Sequence, residues 1–122
     1  PHNYTHNCVV YTGTHDNDTV MGWYDTLKGA DKKLCDDYLR LKNADGEPIP
    51  REQLPWEFVR AAMSSVADMA IIPMQDYLGL GSEARINIPS TLGINWMWRM
   101  GNGDFTKELA GRIRSMTKLY GR

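Results

Sequence analysis

The sequence has few cysteines, almost no net charge and no long apolar run. Its two cysteines, Cys8 and Cys35, are too few for the disulfide framework of a small secreted domain, so we expect reduced thiols in a cytoplasmic protein. A formal net charge of −1, without a run of lysine or arginine, predicts no nucleic-acid partner. Since no apolar stretch approaches the roughly 20 residues that a membrane-spanning helix needs, the sequence also predicts no membrane partner.

The rest of the composition is that of an ordinary globular domain. Hydrophobic residues make up 42% and charged residues 24% of the 122 residues. A chain of this length forms one domain with a modest core and is too short for two. We therefore treat residues 1–122 as a single unit.

The hydrophobic pattern predicts two short strands separated by helices. The expected order is a strand at 8–12, helices at 17–27 and 31–41, a turn-rich connection at 42–55, a helix from 55, a strand at 69–73 and a last helix at 104–119. Both strand segments, "CVVYT" and "MAIIP", are apolar without alternation, which is typical of parallel strands buried on both faces. Strands joined through helices are crossover units, so we expect an α/β fold that is mostly helical by residue count.

The four tryptophans are expected mainly in the core. Trp23 and Trp56 lie on apolar helical faces. Trp96 and Trp98 alternate beside Arg99, where the sequence favours core packing over a platform for a sugar ring.

A cluster of polar residues, "THDND" at 14–18, directly follows the first strand. One interpretation is capping, with Asp16 or Asn17 at the start of the next helix. A calcium loop is not predicted, because Val20 and Met21 occupy positions that need an oxygen ligand and a glycine. The position also suits function, because catalytic groups gather where parallel strands end.

The segment after the second strand carries a second set of polar residues: Gln75, Asp76, Arg85 and Asn87. If the two strands are parallel, both sets lie at the same edge of the sheet. A carboxylate, an imidazole, amides and tryptophans at one edge predict a carbohydrate site, because polar groups bind sugar hydroxyls and flat rings stack on sugar faces. Gln75 and Asp76 come directly after the strand and are candidates for orienting the residues of the site without contacting the substrate.

Two segments resemble a known family. "PHNYTHNCVVYTGTHDNDTVMGW" at 1–23 closely resembles the late segment of the amylomaltases, which are 4-alpha-glucanotransferases, and "GTHDNDT" is specific for them. "SVADMAIIPMQDYLGLGSEARINIPSTLGINWMWR" at 65–99 resembles the stretch that closes their catalytic barrel. Together with the helices between them, these segments cover nearly the whole chain.

The resemblance implies a retaining transfer of α-1,4-glucan segments between maltooligosaccharides in a (β/α)8 TIM barrel. It implies that Asp16 is the carboxylate that stabilises the transition state. It further implies that His15 hydrogen-bonds the donor sugar and that Asn87 is a substrate-binding amide. Glycosyl transfer by carboxylates needs no cofactor or metal ion, and none is predicted.

The family carries its nucleophile and its acid/base on earlier strands, and a whole barrel needs about 250 residues. We therefore expect the chain to be the last two β/α units of such a barrel, an incomplete fragment that is inactive alone and self-associates. In "PSTLGINW", Ser90 and Ile94 stand where the family often has glycines, which leaves the sugar-contacting role of that loop open. The alternatives are a non-catalytic glucan-binding module and a helical interaction module.

Overall fold

A computed structural model describes all residues from 1 to 122 and contains two strands and five α-helices. The elements are β1 (Val9–Tyr11), α1 (Val20–Thr26), α2 (Gly29–Leu39), α3 (Leu54–Met63), β2 (Met69–Ile71), α4 (Met74–Leu78) and α5 (Lys107–Leu119), with 3₁₀ turns at Arg51–Gln53 and Ser82–Ala84. Helix is the main regular structure, as predicted. None of the helices combines the length and the apolar character needed to cross a membrane.

The two strands pair in parallel, with Val9 opposite Met69 and Tyr11 opposite Ile71. This confirms the parallel arrangement predicted from the crossover helices. The polar segments that follow the two strands therefore begin at the same edge of the sheet.

Only one face of this two-stranded sheet is covered. Val10 of β1 is buried and packs with Ala62 of α3 and with Ala67. On the opposite face the side chains of β1 and β2 are about half exposed: Val9, Tyr11, Met69 and Ile71. Within these 122 residues, burial is therefore observed on one of the two faces for which it was predicted, the face that α3 covers.

Helix α1 begins later than the sequence indicated. Its N-cap is Thr19, whose Oγ1 accepts a hydrogen bond from the Gly22 amide at 3.0 Å. The Asn17 side chain instead accepts from the Thr14 amide at 2.8 Å. The interpretation of Asp16 or Asn17 as the cap is therefore wrong, since a residue nearer the helix supplies the oxygen.

Helix α3 is the centre of the core and matches its predicted pattern. Pro55 lies in its first turn, and Trp56, Val59 and Met63 form a buried cluster against which the Leu109, Ile113 and Met116 side chains of α5 pack. Trp56 is thus a core residue, as expected.

Two of the other tryptophans depart from the prediction. Trp23 is 46% exposed and Trp96 is 55% exposed. Trp23 meets Phe58 edge to face at the surface of α1, with ring centroids 6.0 Å apart. Trp96 lies in the irregular segment between the 3₁₀ turn at Ser82–Ala84 and α5, where no helix covers it.

Candidate functional site

The residues predicted at the carboxyl ends of the strands do meet there. The Asn87 side-chain amide donates to Oδ1 of Asp16 at 2.7 Å, and Nε2 of His15 lies 3.3 Å from the same oxygen. The His15 and Asp16 side chains are each about half exposed. No hydrogen bond within this chain reaches the other Asp16 oxygen, Oδ2, so the chain itself holds this carboxylate at Oδ1.

Arg85 joins the two segments that carry these side chains. Its Nη2 donates to the Asp16 carbonyl oxygen at 2.7 Å, and its Nε donates to the Asn87 carbonyl oxygen at 2.9 Å. One planar guanidinium therefore fixes both backbones behind the Asp16–Asn87 contact. The sequence placed Arg85 near the site without giving it this role.

Asp76 lies behind the site and is 1% exposed. Its Oδ2 accepts a hydrogen bond from the Thr12 hydroxyl at 2.5 Å, and its Oδ1 accepts from the Val20 amide at 2.9 Å. These two partners are the residue after β1 and the first residue of α1. The Asp76 carboxylate thus ties down both ends of the segment that carries His15 and Asp16.

Burial sets the electrostatics of Asp76. Loss of water raises the pKa of its carboxyl above the usual value, while the hydrogen bonds from the Thr12 hydroxyl and the Val20 amide partly oppose that rise. The negative charge of Asp18 nearby raises the pKa further.

Gln75 is also buried, and its Nε2 donates to the Ala84 carbonyl at 3.2 Å. This bond holds the residue immediately before Arg85. Gln75 and Asp76 are both buried, so neither side chain forms part of the exposed site. Each acts on the site by holding the backbone segment to which it is hydrogen-bonded.

Trp96 is a member of this cluster that sequence reasoning placed in the core. Its ring lies 5.0 Å from the His15 ring, centroid to centroid, with a tilt of 35° between the planes. The sequence signal was an aromatic residue in a segment rich in glycine, proline and asparagine, which is typical of a loop rather than of a core element.

The chain holds no cluster of three or more histidine, cysteine, aspartate or glutamate side chains suited to a metal ion. His2 bonds the Tyr38 hydroxyl through Nδ1 at 2.8 Å. The site is therefore an exposed carboxylate, an imidazole, an amide and an indole on a scaffold fixed by buried hydrogen bonds.

Comparison with known proteins gives consistent matches. Residues 1–105 match the family model described as 4-alpha-glucanotransferase. The 4-alpha-glucanotransferases of Clostridium butyricum and Thermus thermophilus are 49% and 44% identical to this chain over 100% and 97% of its length. The solved structure of the amylomaltase from Streptococcus agalactiae in complex with acarbose is 36% identical and superposes on the whole chain with a TM-score of 0.85.

The chain is much shorter than these relatives. It spans 24% of the Clostridium butyricum and Thermus thermophilus enzymes and 23% of the Streptococcus agalactiae chain. The matches therefore concern about a quarter of each enzyme.

Proposed function

Because this chain belongs to the 4-alpha-glucanotransferase family, we propose that it works as part of an enzyme that moves α-1,4-glucan segments between maltooligosaccharides with retention of configuration. Its 122 residues are the last two β/α units of a (β/α)8 barrel. The parallel pairing of β1 with β2 and the helices on one face of the sheet support this arrangement.

Asp16 is the catalytic residue that we assign to this chain, as the stabiliser of the transition state. In a retaining transfer, positive charge develops at the anomeric carbon as the glycosidic bond breaks. A carboxylate already held in place stabilises that charge more than it stabilises the ground state. The single observation that carries the proposal is that the Asn87 amide fixes Oδ1 of a half-exposed Asp16 beside His15, while no hydrogen bond within this chain reaches Oδ2.

His15 and Asn87 bind the substrate around this carboxylate. An imidazole and an amide supply donors and acceptors that match sugar hydroxyls. His15 lies beside Oδ1 of Asp16, so a hydroxyl held by Asp16 is within reach of His15 too. Gln75 and Asp76 are positioning residues, because each anchors the backbone that leads to the site.

The substrate is a maltooligosaccharide or longer α-1,4-glucan, and the reaction takes no cofactor or metal ion. We place the protein in the cytoplasm, which fits its two free thiols, Cys8 and Cys35.

A helical interaction module would be favoured by an Asp16 side chain buried in a cap away from any cleft. Asp16 is half exposed and Thr19 is the cap, so that alternative lacks its supporting observation. A glucan-binding module without turnover differs from an enzyme only in whether product forms.

The test uses a full-length host. The matching 123 residues of the Clostridium butyricum enzyme are replaced by this chain, and transfer between maltotriose molecules is measured. We expect Asp16→Asn to lower kcat by roughly 10²-fold or more, the scale for loss of one preorganised electrostatic group, with a smaller change in KM. His15→Ala should cost less, because it removes one part of substrate positioning.

The matched control is Asp25→Asn, which removes a carboxylate from an exposed ion pair with Arg51 and should leave kcat unchanged. Near-normal kcat in Asp16→Asn would sink the catalytic role. Acarbose binding without any transfer in the unmodified chimera would favour the binding-module alternative.

A further inference from the structure

Trp96 occupies a backbone conformation that large side chains avoid. Its φ is +67°, in the left-handed region, where a bulky residue is a genuine outlier. Such a conformation persists only where the surroundings impose it, and it concentrates at functional sites.

Two hydrogen bonds impose this conformation. The Trp96 amide donates to the Ile86 carbonyl at 2.7 Å, and the Trp96 carbonyl accepts from Nη1 of Arg99 at 3.0 Å. Ile86 lies between Arg85 and Asn87, so the Trp96 backbone is tied to the same segment that holds Asp16.

The strained backbone brings the indole to the edge of the site. One side of the ring meets His15 at 5.0 Å, yet 55% of the residue remains exposed. Trp96 belongs to none of the three buried apolar clusters of the chain, so core packing within these 122 residues does not place this ring.

We infer that Trp96 is a substrate-contacting residue whose indole stacks on the apolar C–H face of the glucosyl ring next to the one gripped by Asp16 and His15. Pyranose rings present such faces, and a flat indole matches them while the polar groups beside it take the hydroxyls. This inference rests on the proposed function and adds an aromatic platform to that site.

Strain makes the inference testable, because glycine adopts the left-handed region without cost. In the chimeric enzyme, Trp96→Gly should leave the melting temperature unchanged or raised while kcat/KM for maltotriose falls about 10-fold, the equivalent of one lost aromatic contact. Trp96→Phe keeps a ring and should stay within about 3-fold of the original.

The matched control is Ser90→Gly. Ser90 lies in the same loop with a φ of +62°, so this variant relieves similar strain without removing a ring and should keep full activity. Acarbose affinity, measured by calorimetry in all variants, reports the contact independently of turnover, and we expect it to fall in Trp96→Gly alone.

Three results would overturn the role of Trp96 as an aromatic platform. The first is a Trp96→Gly variant whose kcat/KM and acarbose affinity are both within 2-fold of those of Ser90→Gly. The others are a Trp96→Phe variant as impaired as Trp96→Gly, and a melting temperature of Trp96→Gly that falls in parallel with its activity. A chimera that binds acarbose but transfers nothing would defeat the proposed function instead. Acarbose affinity would then decide the role of Trp96 by itself.

Discussion

Asp76 shows how a single buried side chain shapes an exposed site. A carboxylate that is 1% exposed loses the water that would stabilise its charge, and two hydrogen bonds from Thr12 and Val20 only partly replace it. Those two partners are the ends of the segment that bears His15 and Asp16. Burial of the Asp76 carboxylate is unfavourable by itself, but the same two hydrogen bonds hold the segment in a fixed position.

This burial predicts a pH dependence of stability. Burial raises the pKa of Asp76 in the folded chain above its value in the unfolded chain, which is about 4. Between these two pKa values the folded state binds more protons than the unfolded state. The contribution of Asp76 to the free energy of unfolding is therefore full below about pH 4 and is lost as pH rises through the raised pKa. Asp76→Asn should remove this pH-dependent contribution, so the free energy of unfolding should fall less steeply as pH rises. Urea-induced unfolding at a series of pH values measures this.

Asp37→Asn is the control for this experiment. The hydrogen bond from Lys33 lowers the pKa of the exposed Asp37 carboxyl, so its contribution changes with pH in the opposite direction. An unchanged pH profile in Asp76→Asn, or equal flattening in both variants, would contradict the account.

At the scale of elements, different residues near the start of α1 cap the helix and form the proposed site. Thr19 supplies the cap, while Asp16 makes no hydrogen bond to the helix. Thr19→Ala should therefore lower the free energy of unfolding by about 1 kcal/mol, and Asp16→Ala should change it by less than about 0.5 kcal/mol.

Urea-induced unfolding measures both values, with Thr19→Ser as the control that keeps the capping oxygen. A larger loss in Asp16→Ala than in Thr19→Ala would restore Asp16 to a capping role.

At the scale of the whole molecule, the open face of the sheet is the prominent feature. Val9, Tyr11, Met69 and Ile71 expose a contiguous apolar surface on two paired strands whose outer edges have no partner strand. Such faces and edges promote association between chains. We predict that the purified 122-residue chain forms dimers or larger species, detected by light scattering over a concentration series.

Met69→Glu should shift this equilibrium toward monomer. Leu34→Glu is the control, because Leu34 is 68% exposed on α2 and lies outside the sheet. A monomer of 13.9 kDa at every concentration that also binds no hydrophobic dye would contradict the prediction.

The proposed chemistry makes a second prediction at this scale. Retaining transfer needs a nucleophile and an acid/base as well as Asp16, and we assign neither to these 122 residues. The isolated chain should therefore release no glucose from maltotriose above the blank, assayed enzymatically, while the chimera does. Glucose release by the isolated chain, free of any host enzyme, would contradict the assignment of a single catalytic residue.

Several parts of the molecule followed from the sequence. The apolar runs at 8–12 and 69–73 predicted both strands, and the apolar spacing from Trp56 to Met63 predicted α3 and its buried face. These patterns are local, because period and run length are properties of neighbouring residues. The segment "GTHDNDT" further indicated the family, and the family model confirms it.

Other features depended on residues far apart in the chain. Asp76 bonds the Val20 amide across 56 positions, Arg85 reaches the Asp16 carbonyl across 69, and Asn87 reaches the Asp16 carboxylate across 71. No local pattern specifies such partners. The sequence also did not determine which residue caps α1, because four consecutive residues, 16–19, each carry an oxygen that could serve as the cap.

The sequence by itself thus determined the strands, the central helix, the family and the identity of the polar residues at the strand ends. Only the tertiary structure decided that Asn87 holds Oδ1 of Asp16, that Asp76 is buried and that Trp96 lies exposed against His15. The physical reason is that residue type and spacing specify hydrogen-bonding capacity and apolar periodicity. Burial and long-range partners depend on how the parallel strands bring distant segments to one edge of the sheet.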